Sequence, residues 1–419
     1  MKSFSEQILK GLTRVPTYGS PGTMVLLNDK AQAVFTGNSS GEVFLAASEY
    51  GNGRVFICAH DKYYYWLDDN FSESDIDDEI DEENDKTMIS NVELNDVRKK
   101  FMDNVKKWLI KSNDLSSLCM LDVEDIIVSD YGIDKDEFHM VKWCQDSCVN
   151  EKQQNILLEY VSSGGSLLCA VTPWGYLYQY PDNKLSDLSI YGFLRKNFDV
   201  ILTDSIISVN STIPVEKNLA HYAGFSEALD KITTNLNNLE NYCSTIECGL
   251  TAVKQEGLIH DDFISLLGNA IKTEFCKRSD ELYPWKNKFI KKEDDKNILR
   301  LFCKCLIEKE TEKAPNIEDF PGDFKVPPNL LTNVNIEIET IFGEWVSTSY
   351  YLPAGIAMIV QIPTTIDVNG WFLRVGAHAD NISSCDEGLN RWPIITVLKP
   401  LKHEMIICSP FGGLVYFQR

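Results

Sequence analysis

Between Val97 and Ile207 the chain alternates short apolar runs with stretches of helical period, and this alternation constrains the fold more than any other feature. Val97, Phe101, Val105, Trp108 and Leu109 recur at helical spacing with Lys and Arg between them, which predicts an amphipathic helix docked on a sheet. The runs Asp125–Val128, Phe138–Trp143, Ser166–Val171 and Val200–Ile207 read as strands, Lys152–Val161 and Ser189–Lys196 as helices, and Gly164-Gly165 as a turn. Strands separated by helices of about ten residues build βαβ units, because a parallel neighbour needs a long crossover. The expected fold class is therefore α/β, with a doubly wound, mainly parallel sheet.

Other segments extend this frame. From Gly22 to His60, apolar runs at Met24–Leu27, Ala33–Phe35, Val43–Ala47 and Val55–Ala59 are separated by Asn28-Asp29, Gly37–Gly41 and Gly51-Asn52-Gly53, which predicts hairpins or closely spaced strands. In Glu73–Asp85 nine of thirteen residues are acidic, so the run repels itself and reads as a solvated surface loop. An EF-hand is excluded there, since Ile80 stands where its turn needs Gly and Lys86 where it needs Glu. Leu229, Ile232, Leu236 and Leu239, and then Phe263, Leu266, Leu267, Ala270 and Ile271, predict helical additions. Pro315, Pro321, Pro327 and Pro328 mark a linker. Beyond it, Val334–Ile341, Tyr350–Leu352, Ile356–Ile362, Trp371–Gly376, Ile394–Leu398 and Met405–Cys408 read as short strands of a β-sandwich. The expected division is an α/β domain over 1–310, a linker over 311–329 and a sandwich over 330–419.

Charge and composition narrow the function. With 62 acidic against 40 basic side chains the net charge is -22, which excludes nucleic acid as a partner because phosphate binding needs a basic surface. Met1–Thr13 lacks the apolar run of a secretory signal, and runs such as Ile356–Val360 are far shorter than the roughly 18 residues that span a bilayer, so a soluble cytoplasmic chain is expected. Twelve cysteines without an export signal then read as reduced core residues, and the Asn-x-Ser/Thr triplets at Asn38, Asn210 and Asn381 as unmodified.

The search for chemistry finds fragments of sites. Cys169 ends a strand ahead of Thr172-Pro173-Trp174-Gly175, where an α/β sheet places its ligands, but Leu167 and Val171 occupy positions that a nucleophile elbow keeps small. The expected role is a buried structural thiol; the catalytic alternative, a hydrolase or amide-transferring enzyme, would use Cys169 with His60 as base. His60 follows a strand and precedes Asp61, a placement more often structural. Gly37-Asn-Ser39-Ser-Gly41 matches a serine-hydrolase pattern but precedes a strand rather than a helix. None of the six histidines lies four residues from another, the cysteines form no pair of C-x-x-C knuckles, and no phosphate-binding glycine motif occurs, so no metal and no cofactor are expected. Trp345, Tyr350, Tyr351, Trp371 and Trp392 are candidates to stack on sugar faces, against the plainer reading of aromatic core packing.

Five blocks in order carry a family resemblance: Gly343–Thr348, Tyr351–Gly355, Trp371–Asp380, Arg391–Pro393 and Ser409–Tyr416. They resemble the β-sandwich that precedes the catalytic part of enhancin-like, mucin-degrading zinc peptidases. Gly22-Thr23, Gly51–His60 and Tyr160–Leu168 resemble the N-terminal half of the TRP-channel-associated factors, which join an α/β domain like that of class I glutamine amidotransferases to such a region. The resemblance implies a cytosolic protein, peripheral at the plasma membrane, that binds a TRP-type cation channel and influences its delivery and gating. It also implies that the peptidase's zinc ligands lie after Tyr416, so no catalytic residue is carried over to this chain. A non-enzymatic adaptor is the expected function.

Overall fold

The computed structural model describes residues 3–17, 19–37, 41–67, 91–127, 132–145, 147–207, 211–234, 239–255, 289–309, 313–315, 317–339, 345–383, 385 and 387–419. Two compact units emerge, Met1–Lys231 with Ser244–Leu258, and Ile232–Cys243 with Ile259–Arg419. The acidic run, the helical face from Phe263 to Ile271, Leu236 and the centre of the Gly37–Gly41 loop lie outside the described residues.

The first unit runs α1 (Phe4–Ile8), β1 (Arg14–Pro16), β2 (Gly22–Leu26), β3 (Ala31–Thr36), β4 (Val43–Tyr50), β5 (Gly53–Cys58), α2 (Lys62–Tyr65), α3 (Asn91–Ile110), β6 (Met120–Asp122), α4 (Val123–Ile127), β7 (Met140–Cys144), α5 (Glu151–Ser163), β8 (Ser166–Ala170), α6 (Pro173–Gln179), α7 (Ser189–Phe198), β9 (Val200–Ile206) and β10 (Thr212–Pro214). Helices α8 (Phe225–Thr234) and α9 (Leu239–Gln255) follow.

Its main sheet has the order β6-β7-β8-β5-β4-β2-β9, with β3 paired to β4. Only the β6/β7, β7/β8 and β8/β5 pairs are parallel; β5/β4, β4/β3, β4/β2 and β2/β9 are antiparallel. The sheet is thus mixed, which corrects the expectation of a mainly parallel one. The cause is connection length: Gly51-Asn52 alone joins β4 to β5, and so short a loop can only reverse the chain. The expected strand at Asp125–Val128 is also corrected. Its described part lies in helix α4, with Glu124 and Asp125 in the first turn where the helix dipole favours them, and the strand is β6 just before it.

Helix α5 starts at a capping box, Gln153 N donating to Asn150 Oδ1 (3.1 Å) and Asn150 N to Gln153 Oε1 (2.8 Å). It buries Leu157, Tyr160 and Val161 and stops at Gly164, whose φ of 124° suits glycine. Every residue of β7 and β8 is buried, so both faces of the parallel half are covered, as βαβ architecture requires. Gly53 permits a close backbone approach: a Cβ there would lie 2.1 Å from Val161 O and 2.2 Å from Gly165 O, both backbone atoms.

The second unit contains α10 (Glu293–Lys309) and the strands β11 (Trp345–Leu352), β12 (Met358–Gln361), β13 (Phe372–Val375), β14 (Val397–Pro400), β15 (Glu404–Ile407) and β16 (Gly413–Gln418). A four-stranded antiparallel sheet of order β11-β16-β13-β14 and a two-stranded ribbon β12-β15 share one core, with Leu352, Leu373, Val375, Val397, Ile407 and Val415 at its centre. Within the expected linker, Ala314 and Ile317 are buried, and Ala314 N donates to Pro410 O (2.8 Å). The expected strand Val334–Ile341 is not formed among the described residues, 334–339 having no regular secondary structure, and its last two residues lie outside the described set.

Candidate functional site

The carboxyl ends of parallel strands are where α/β sheets gather ligands, and the candidate site of the first unit stands there, at the ends of β5 and β8. His60 follows β5 and is buried. Its Nδ1 lies 3.1 Å from Lys62 N and 2.9 Å from Asp61 Oδ1. Asp61 N donates to Thr172 Oγ1 (2.9 Å), and Thr172 N donates to Gln145 Oε1 (2.7 Å), so one chain of bonds laces the ends of β5, β8 and β7 together. Burial acts to raise the Asp61 carboxyl; the hydrogen bond and charge of His60, the Thr172 hydroxyl and the Lys62 charge outweigh it and leave the carboxyl below its ordinary value.

The loop ahead of β2 closes over these ends. Trp174 Nε1 donates to Ser20 O (2.7 Å) and Gly22 N to Ala59 O (2.8 Å). A Cβ on Gly22 would stand 2.6 Å from Pro173 Cδ, so only glycine lets the loop sit against the start of α6.

Cys169 lies inside the sheet, in register with Ile57 of β5 and Trp143 of β7, and is 0% exposed. Burial pushes its thiol well above the ordinary range, and burial together with the neighbouring Cys169 does the same to Cys58. The attacking species in cysteine chemistry is the thiolate. Here the environment holds the proton on sulfur.

Sequence reasoning missed a second polar cluster in this unit. Lys142 of β7 is buried, with Nζ 3.4 Å from Asp122 Oδ1 and 4.5 Å over the Tyr64 ring, and the Tyr64 hydroxyl bonds to the same carboxylate. Asp122, the last residue of β6, and Lys142, in the middle of β7, are direct register partners. The available signal was a lysine between Val141 and Trp143 in an otherwise apolar strand.

The structure scatters the aromatic candidates of the second unit. Trp392 is 0% exposed, donates Nε1–H to Pro315 O (3.3 Å) and packs between Phe302 and Phe411 at 5.8 and 5.9 Å. Trp345 carries the Arg374 guanidinium 3.8 Å above its ring and Tyr416 beside it at 5.7 Å. Arg374 is itself held by Gly376 O (3.0 Å), His378 O (2.8 Å) and Gln418 Oε1 (3.1 Å), and burial lowers its pKa. Tyr350 and Tyr351 are exposed, Tyr351 meeting the edge of Phe324 at 5.3 Å, and Trp371 is half-buried with the Arg419 guanidinium 5.8 Å from its ring.

Among the described residues, no group of three or more His, Cys, Asp or Glu side chains is arranged to hold a metal ion, and no helix is long and apolar enough to cross a membrane.

Comparison with known proteins places these features. The model of the N-terminal domain of M60-like peptidases matches residues 331–419. A TRPM8 channel-associated factor homolog of Danio rerio is 22% identical over 446 residues, which covers 99% of this chain and 44% of that protein. TRPM8 channel-associated factor 3 of Rattus norvegicus is 21% identical over 99% of this chain and 43% of its own length, and factor 2 of Bos taurus 22% identical over 99% and 44%. The resemblance read from the sequence is therefore present along the chain, and the chain spans less than half the length of these relatives. Among solved structures, the IMPa metallopeptidase of Pseudomonas aeruginosa is 9% identical with a TM-score of 0.35, over 99% of this chain and 50% of that one.

Proposed function

We propose that the chain is a non-enzymatic adaptor that binds a TRP-type cation channel at the cytoplasmic face of the plasma membrane and acts on the channel's delivery or gating. The observation that carries this reading is the similarity over 99% of the chain to proteins named as TRPM8 channel-associated factors. The protonated, sheet-buried Cys169 supports a binding role for the first unit, which we read as a class I amidotransferase-like domain without a working nucleophile. The reading requires no cofactor and no metal, and the region from 330 onward is its β-rich interaction module.

The test is direct. Full-length protein is immobilised and presented with a detergent-solubilised TRPM8 channel, with an unrelated channel in the same detergent as control. Saturable binding of TRPM8 at micromolar concentration or below is expected; equal retention of both channels, or of neither, defeats the reading. Glycan recognition is a second reading, favoured by the exposed Tyr350 and Tyr351 and the half-buried Trp371. It loses Trp392 to the core and the upper face of Trp345 to Arg374. A glycan array that retains none of its sugars on the full chain ends it.

A further inference from the structure

We infer that strand β12 pairs edge to edge with β12 of a second copy of this chain, merging two ribbons into one four-stranded antiparallel sheet across a two-fold axis. Among the described residues the second unit leaves four strand edges open: β11 and β14 flank its larger sheet, and β12 and β15 have only each other. Three are guarded. β11 shifts register between Ser347 and Tyr351, with Ser349 at a φ of 63°, and β14 ends in Pro400, which has no N–H to give. β15 opens on the exposed Glu404, just after the exposed Lys402.

β12 carries no such device. From Trp345 to Ile366 no side chain is charged, although 24% of the chain is. Met358 and Val360 pack on the unit's core, while Ile359 between them is 67% exposed and its register partner Ile406 57%. A flat, uncharged, apolar edge strand is a template for a further strand.

The ribbon's own ladder fixes which backbone groups are spare. Ile362 N donates to His403 O (2.7 Å), so these two residues form a hydrogen-bonded pair, and by alternation Val360 with Met405 and Met358 with Ile407 do the same. The N–H and C=O groups of Ile359 and Gln361 therefore point away from β15, along the free edge. Two such edges match in one symmetric register. Ile359 stands opposite Ile359 of the second copy and exchanges both backbone bonds with it on the axis, and Gln361 stands opposite Ala357.

Charge selects the second copy as the occupant of this edge. At a net charge of -22 two copies repel, and they can meet only where the surface itself is neutral. The β12 register places no charged side chain opposite another, and it lines up Ile406, Ile359, Ile359 and Ile406 in one row of β-branched contacts. The outer strands of the merged sheet are the two copies of β15, whose Glu404 stops further growth, so the assembly closes at a dimer.

The experiment is sedimentation equilibrium on the full chain from about 1 to 200 µM, with residue-resolved amide exchange at both ends of that range. The contact is small and works against net repulsion, so a reversible dimer with a dissociation constant of about 10–100 µM is expected, tightening as salt is raised. Ile359→Pro removes an outward N–H and no donor to β15, and Ile359→Lys sets two cations face to face on the axis. Each is expected to weaken dimerisation about tenfold or more. Ile359→Lys should leave the melting temperature of the dilute protein unchanged, because the side chain is exposed there. The amides of Ile359 and Gln361 should gain protection with concentration, and those of Val360 and Ile362 should be slow throughout.

A chain that stays monomeric across the range overturns the inference. So does a dimer that both variants leave intact, or one in which Ile359 and Gln361 exchange as freely as in the dilute protein.

Discussion

Replacing Trp392 by alanine separates a core tryptophan from a sugar-stacking one. The side chain is wholly buried between Phe302 of α10 and Phe411, and its Nε1–H is bound to Pro315 O. Truncating a buried Trp to Ala costs about 3–5 kcal/mol, because the lost transfer energy is joined by a cavity that rigid neighbours cannot fill. For a folding unit of this size each kcal/mol moves the melting temperature by about 2–4 °C, so the second unit's transition should fall by roughly 6–20 °C. Trp392→Phe keeps the ring contacts but gives up the hydrogen bond and some volume, for about 1–2 kcal/mol. Differential scanning calorimetry reads both, and amide exchange in β13 and β16 assigns the transition that moved. A Trp392→Ala protein melting within about 2 °C of the parent would refute the packing argument, because only an exposed aromatic costs so little to truncate.

Two further outcomes follow from the first unit. In the native fold iodoacetamide should modify the exposed Cys119 and Cys148 and spare Cys58 and Cys169 until denaturant is added; labelling of Cys169 at the rate of Cys119, read by peptide mass mapping, would restore the nucleophile reading. The Asp61 carboxyl is depressed in the folded state, so it contributes stability above the ordinary carboxylate range that is lost as pH falls through the folded value. Urea unfolding of Asp61→Asn at descending pH should therefore show a shallower loss than the parent; parallel losses would remove the His60–Asp61 contact as the cause.

How much of this could be read beforehand depends on where each instruction resides. The hairpin β4–β5 was legible because Gly51-Asn52-Gly53 states both the turn and the close approach, and α5 with β8 because Asn150, Gln153 and Gly164 mark the helix ends. The mixed pairing was not, because a buried strand such as Val55–Ala59 has the same apolar run whether its neighbour is parallel or antiparallel. Helix α4 was misread because Ile126-Ile127-Val128 is too short for its period to speak. Strand β16 is legible only as part of a family motif, although it is one of the two interior strands of its sheet. The aromatic candidates divide by burial: Trp392 and Trp345 are the same residue type, and only tertiary structure sends one into the core and the other beneath a guanidinium.

The antiparallel strands β2–β5 leave the ribosome well before β8 and β9, as a set of local reversals that can pair early. Their outer partners come late. The free side of β5 waits for β8, and that of β2 waits for β9, with roughly a hundred residues of synthesis between β5 and β8. At about 5–20 residues per second that interval lasts on the order of 5–20 s. Throughout it, Val55, Phe56 and Ile57, wholly buried in the finished protein, line an unpaired edge. The nascent chain therefore carries an open apolar edge through mid-synthesis, the interval in which a chaperone has most to cover.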